Sequence, residues 1–324
     1  MSLGSKMVPT TVPGKMAYVF PGQGSQQVGM GKELYASCPR ARDTFDRADA
    51  ILGFPLSRLC FEGPEADLTQ TINAQPAVLV TSLAYLEAAR LEGLPPADFF
   101  AGHSLGECTA LVASGALSFE DALRLVRERG RLMQKAGEKT PGGMLAVLGS
   151  DDERVDSLCA ATGMVVANRN CPGQVVISGG QDNMAEAMAV AQRDRTKVIR
   201  LKVSGAFHSP LMQPAKEGLA LIVPRFEFAV PSRPVVANVT AEPIRQASDI
   251  REELVNQVCC CVQWQRSVEN MMSRGVTAFI EIGPGAVLSG LIKRTSSKPV
   301  AFSVNSVESI GEVARLLASA SGNP

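Results

Sequence analysis

An α/β fold carrying a small inserted subdomain is predicted by three observations. A strand, a glycine-flanked serine and a helix follow one another in "FFAGHSLGECTAL", residues 99–111. A β-α-β-β-α-β order runs from Met144 to Val203, the split pattern of ferredoxin-like domains. Hydrophobic residues make up 45% of the 324, enough to bury a sizeable core in one large domain or two smaller ones.

The elements follow in chain order. Residues 1–15, "MSLGSKMVPTTVPGK", lack the apolar centre of a signal peptide and read as a flexible tail, partly an expression remnant. Met16 to Phe20 is an apolar run closed by Pro21-Gly22, a first strand. Gln75 to Ala89 is a mostly apolar, buried helix, and Phe99 to Ala101 a strand entering the serine turn. Leu105 to Ala113 is the helix leaving that turn. Ser118-Phe-Glu-Asp121 resembles a capping box opening a helix to about Lys135. The small subdomain, residues 141–206, takes strands at 144–148, 164–167, 174–178 and 198–203, with helices at 153–161 and 183–192. Pro141-Gly142-Gly143 marks its entry and Ser204-Gly205-Ala206 its exit. The large subdomain, 16–140 and 207–315, closes with a strand at 278–282 and a helix from Ala286.

Composition excludes several classes. Lys+Arg 32 balance Asp+Glu 32, against the basic footprint of a nucleic-acid binder. No apolar run reaches membrane-spanning length. The eight cysteines have neither disulfide-like nor zinc-like spacing, so they read as free thiols of a cytoplasmic protein without a metal site.

Gly102-His103-Ser104-Leu105-Gly106 fits the nucleophile elbow, G-x-S-x-G, in its required strand–turn–helix setting. A serine hydroxyl needs a base. Of the two histidines, His103 adjoins Ser104, where side chains on a sharp turn diverge. His208, in "SGAFHSPLM", is the better candidate. Ser209 and Pro210 open a helix there, and its positive end favours a neutral imidazole. A base is normally oriented by a third group. No aspartate is singled out; Gln263, in "CCCVQWQ", is a candidate through its carbonyl or amide. Arg129 sits mid-stripe among Ala122, Leu125, Val126, Leu132 and Met133, whereas Arg124, Arg127 and Arg131 lie off it as solvated charges. A buried guanidinium needs a partner: an ion pair and a fork for a substrate carboxylate both fit. The loop "FPGQGSQQVGMG" is no dinucleotide fingerprint, because Gln27 stands at the third glycine position. Its backbone N–H groups and that of Leu105 suit an oxyanion hole.

Taken together, these residues resemble the malonyl-CoA:acyl carrier protein transacylase family. The match runs from Met16 to Arg294 through "FPGQGSQ", "AGHSLGE", Arg129-Gly130, "GGM", "N-x-N-x-PGQ-x-VISG" from Asn168, "GAFHSPLM", "NVTA", "VQW" and "EIGPG-x-VL-x-GL". The resemblance implies an α/β-hydrolase-like core with a ferredoxin-like insertion. It implies Ser104 as nucleophile, His208 as base, Arg129 as carboxylate clamp, Gln263 as orienting residue, and the N–H groups of Gln23 and Leu105 as the oxyanion hole. It makes Phe207 a wall selecting malonyl over 2-methylmalonyl. It implies malonyl-CoA as substrate, no bound cofactor, and the phosphopantetheine thiol of an acyl carrier protein as acceptor. A standalone monomer serving fatty acid or polyketide synthesis is expected. Cys261, Cys108 and Cys171 depart from the family pattern, as small apolar substitutions near the site.

Two other classes compete. An acyl hydrolase on the same fold needs no carboxylate clamp, which Arg129 supplies. A non-catalytic carrier-protein docking module has no use for Ser104 and His208, and both are present.

Overall fold

The structure, a computed structural model, describes residues 14–320. Residues 1–13, most of the expected tail, lie outside it. Lys15, assigned to that tail, already pairs with Val276 in the first strand.

In chain order, β1 (Lys15–Phe20) leads into α1 (Lys32–Ser37), α2 (Pro39–Leu52), α3 (Leu56–Glu62), α4 (Glu65–Leu68) and α5 (Thr71–Leu91). Next come β2 (Phe99–Gly102), α6 (Leu105–Ala113) and α7 (Phe119–Lys139). The insertion holds β3 (Gly142–Leu148), α8 (Asp152–Thr162), β4 (Val165–Cys171), β5 (Gln174–Gly180), α9 (Gln181–Arg193) and β6 (Lys197–Arg200). The chain then runs through α10 (Gln213–Ile222), β7 (Val235–Val236), α11 (Ala247–Asn256), α12 (Trp264–Ser273), β8 (Val276–Ile282), α13 (Val287–Thr295), β9 (Val300–Val304) and α14 (Val307–Ala320).

The large sheet has order β7-β2-β1-β8-β9, every pair parallel. A parallel sheet is covered on both faces, and β1 shows how. Tyr18 and Phe20 enter one core with residues of α5, α6 and α7. Ala17 and Val19 enter the other, with Trp264 and Val268 of α12 and Leu288 and Leu291 of α13. The small sheet is antiparallel with order β4-β5-β3-β6, the ferredoxin-like arrangement that the β-α-β-β-α-β reading predicts. Leu145, Val147, Val175 and Ile177 face α8 and α9. Met144, Ala146 and Val176 face the large core.

This topology fixes where chemistry can sit. β1 lies between β2 and β8, and ligands of open parallel sheets bind at the carboxyl ends of strands where the winding reverses. The loops leaving β1 and β2 meet there: a Cβ on Gly22 would lie 2.4 Å from the His103 carbonyl oxygen. α7 starts as the capping signal predicts, with Ser118 Oγ accepting from the Asp121 N–H at 3.1 Å.

Candidate active site

The Ser104 turn is built by its two glycines. A Cβ on Gly102 would lie 1.9 Å from the Gly106 carbonyl carbon, and one on Gly106 would lie 2.1 Å from the Phe20 carbonyl oxygen. Only glycine lets α6 leave β2 so tightly. Ser104 is left at φ 52°, ψ −108°, a conformation an L-residue holds only when its surroundings impose it. Asn238 imposes it from both sides. Its Oδ1 accepts the Ser104 N–H at 2.6 Å, and its Nδ2 donates to the Gly102 carbonyl at 2.7 Å.

Ser104 Oγ lies 2.9 Å from His208 Nε2. His208 Nδ1 lies 2.8 Å from the Gln257 carbonyl oxygen, which can only accept. Nδ1 therefore carries the proton, and Nε2 presents its lone pair to the serine hydroxyl. His208 sits in the turn before a short 3₁₀ segment, Pro210–Met212, capped by Ser209 Oγ through the Leu211 N–H. Burial and the Arg129 guanidinium push its pKa down to about 3, so the ring is neutral at pH 7. His103 turns away from the serine: its Nε2 pairs with Asn170 Oδ1 at 2.9 Å.

The orienting group is a correction to the sequence reading. Gln263 caps α12; its N–H donates to the Asn238 carbonyl and its own carbonyl accepts from Ser267. The carbonyl at His208 belongs to Gln257, in the turn after α11. Nothing in composition marks that residue, because a main-chain carbonyl is common to all residue types.

Arg129 is 1% exposed, as its place in the apolar stripe predicts. Its Nη1 donates to Gln75 Oε1 at 2.7 Å, and its Nη2 to Gln257 Oε1 at 2.7 Å and Ser104 Oγ at 3.1 Å. Among the described residues no carboxylate lies within ion-pair distance, and Nε has no hydrogen-bond partner. Arg127, expected to be solvated, is half-buried on the Phe54 ring and donates to Ile72 O and Asn73 Oδ1.

Leu105 opens α6, where first-turn N–H groups have no acceptor within the helix. Gln23 follows Gly22 against the turn, its side chain donating to Thr71 Oγ1 at 3.1 Å. Leu105 directly follows Ser104, and Gln23 directly follows Gly22, which packs on the carbonyl of His103, the residue before Ser104. Phe207 is buried in the large core beside His208. A cleft of about 430 Å³ opens next to the elbow, lined by Gln23 and His103 of the large subdomain and by Asn168, Asn170 and Val176 of the small one. Cys108 is buried in α6, and all eight cysteines are free. Among the described residues no cluster of His, Cys, Asp or Glu is arranged to hold a metal ion, and no helix is long and apolar enough to cross a membrane.

An activated serine, a neutral base, the first-turn N–H of Leu105 and a buried cation with no carboxylate of the described residues in ion-pair distance suit acyl transfer of an anionic acyl group. Comparison with known proteins agrees. The acyl transferase domain model matches residues 17–319. The malonyl CoA-acyl carrier protein transacylase of Bacillus subtilis is 46% identical over 302 residues, covering 91% of this chain and 95% of that one. The crystal structure of the malonyl-CoA:acyl carrier protein transacylase of Xanthomonas oryzae superposes with a TM-score of 0.90 at 40% identity, covering 93% and 98%. A malonyl-transacylase solved in complex with a type II polyketide acyl-carrier protein gives 0.89 at 38%, covering 95% and 100%. The chain therefore belongs to the acyl transferase domain family, among its malonyl CoA-acyl carrier protein transacylases.

Proposed function

We propose that this chain moves a malonyl group from malonyl-CoA to the phosphopantetheine thiol of an acyl carrier protein, by way of a malonyl ester on Ser104. The observation that carries the reading is Arg129: a buried cation touching the nucleophile, with no carboxylate among the described residues within ion-pair distance. A malonyl carboxylate supplies one.

Ser104 Oγ attacks the thioester carbonyl while its proton passes to His208 Nε2. The resulting oxyanion is held by the N–H groups of Gln23 and Leu105. Collapse breaks the C–S bond, and the CoA sulfur takes the proton back from His208. The carrier-protein thiol then attacks the ester by the same steps and releases Ser104. Arg129 holds the distal carboxylate throughout. The Gln257 carbonyl keeps the His208 tautomer, and Phe207 walls the C2 side of the acyl group. No cofactor takes part in this scheme.

We assign residues 16–140 and 207–315 to the large subdomain and 141–206 to the small one, and read the protein as a cytoplasmic monomer in fatty acid or polyketide synthesis. Free thiols support the compartment.

Intact-protein mass spectrometry after mixing with malonyl-CoA tests the function. One malonyl mass on wild type, absent from Ser104→Ala and discharged by a holo carrier protein, is expected. An ester that discharges to water as fast as to the carrier protein identifies a hydrolase, and no ester at all identifies a docking module.

A further inference from the structure

Beneath the elbow lies a carboxyl group that the scheme above does not use. Glu107, fully buried in the first turn of α6, has one oxygen with two hydrogen bonds and one with none. Oε2 accepts from the Asn238 N–H at 2.9 Å and from Gln257 Nε2 at 3.1 Å. Between them these two residues hold Ser104, His208 and Arg129. Asn238 clamps the backbone on both sides of Ser104. Gln257 holds His208 through its carbonyl and Arg129 through its side-chain Oε1.

The orientation of the Gln257 amide is the critical point. Its Oε1 meets a donor, Arg129 Nη2, and its Nε2 meets two acceptors, Glu107 Oε2 and the Ser104 carbonyl oxygen at 3.1 Å. With Nε2 turned toward Arg129, donor would face donor. An acceptor at Glu107 therefore keeps the amide the right way round and the guanidinium in place. Burying a carboxyl with one oxygen orphaned breaks a local rule of stability, and such breaches gather at functional sites.

We infer that Glu107 is a positioning residue for acyl transfer: through one oxygen it locks Asn238 and Gln257, and through them Ser104 and Arg129. The inference deepens the malonyl-transfer reading and rests on it for its selectivity arm. What matters on this account is the reach of an acceptor oxygen. The Asn238 N–H and Gln257 Nε2 need only an acceptor oxygen there, which a neutral amide also provides; burial, and then the nearby Glu253 carboxyl, push Glu107 well above the usual carboxylate range.

Two variants of the full chain separate reach from the carboxyl group itself. Glu107→Gln keeps an acceptor oxygen at the same reach and replaces the carboxyl by an amide. Glu107→Asp keeps the carboxyl and withdraws its oxygen by one methylene. Two rates are read per folded enzyme, with thermal unfolding as the check. One is the acylation burst with p-nitrophenyl acetate, which uses the Ser104–His208 pair and the oxyanion donors but needs no carboxylate clamp. The other is the ratio of malonyl to acetyl loading from the two CoA esters. Glu107→Gln should stay within about threefold of wild type in both. Glu107→Asp should lose roughly ten- to a hundredfold in the burst, the scale of a small misplacement at a reacting centre, and its malonyl preference should fall about tenfold or more. A purely structural carboxyl lowers the melting temperature of Glu107→Asp and leaves both rates alone, which overturns the inference. So does a folded Glu107→Gln that loses its burst or its ratio, and that outcome decides the matter even if Glu107→Asp does not fold. The burst arm stands even if wild type shows no malonyl preference, a result that would sink the malonyl reading instead.

Discussion

Arg129 Nη2 lies 3.1 Å from Ser104 Oγ, the same oxygen that His208 Nε2 approaches at 2.9 Å. The cation thus sits where acid–base chemistry and substrate recognition meet. On the proposed mechanism it stabilises negative charge on the serine oxygen and offers the acyl group a charge that no carboxylate of the described residues pairs with, and after burial it is the second cause of the low His208 pKa.

The first consequence concerns pH. His208 is neutral because burial, and then Arg129, disfavour its cation and bring its pKa to about 3. A base works in its neutral form, so activity is retained above the folded pKa and lost as pH falls through it. The p-nitrophenyl acetate burst is the suitable assay, since that ester has no carboxylate to neutralise Arg129. The burst rate at pH 5 should stay within about twofold of its pH 7 value, where an ordinary histidine would lose roughly twenty-five-fold. In Arg129→Ala one depressing charge is gone, and the acid limb should move to higher pH. An acid limb near pH 6.5 in wild type would contradict the assignment.

A second prediction separates the two glutamines. Gln257→Ala keeps the main-chain carbonyl at His208 and removes the amide that holds Arg129. The acetyl loading rate should change by less than about tenfold, while malonyl loading should fall by roughly ten- to a hundredfold. Gln263→Ala, which touches neither group, should leave both rates within about twofold. Equal loss in the two Gln257→Ala rates would place the amide's role elsewhere.

How far the site was legible in the sequence depends on what each residue does. Ser104, His208 and Arg129 act through side-chain chemistry, and each stands in a pattern: an elbow, a helix start, an apolar stripe. Gln257 acts through its carbonyl, which leaves no mark on residue type, so the reading fell on Gln263. Gln75 carried a faint signal, a polar side chain within a long apolar helix, whose partner emerges only when α5 and α7 pack. The small sheet was readable because its strands alternate locally. The short helices over residues 32–68, β7 and β9 were not, being set by packing against the main sheet.

A third prediction concerns the turn itself. Gly102→Ala places a methyl group 1.9 Å from the Gly106 carbonyl carbon, which is backbone and cannot swing aside. It should destabilise by about 3 kcal/mol, the upper end for overpacking, read as a lowered denaturant midpoint together with lost acylation. An unchanged midpoint would mean that the elbow is looser than the structure has it.

A fourth concerns acyl selection. Phe207 is 5% exposed, and its ring is held against Gly205 beside His208. If Phe207 walls the C2 side of the acyl group as proposed, Phe207→Ser should relax malonyl over 2-methylmalonyl selection by about tenfold, the scale on which a pocket judges one methyl group. Competition between the two CoA esters measures it. An unchanged ratio would assign the wall to other residues.

The central claim is that Arg129 is kept unpaired for the substrate's carboxylate. Breaking a buried hydrogen-bonded charge pair costs about 2–5 kcal/mol, or roughly thirty- to several-thousand-fold. The most direct measurement is the ratio of malonyl to acetyl loading rates on Ser104, taken by intact-protein mass spectrometry for wild type, Arg129→Lys and Arg129→Ala, with circular dichroism to confirm folding. The account predicts a collapse of that ratio in Arg129→Ala, with acetyl loading gaining relative to malonyl, and poor rescue by lysine, whose ammonium lacks the planar fork. A folded Arg129→Ala that keeps the wild-type ratio would show that the arginine only braces Gln75 and Gln257, and would contradict the claim.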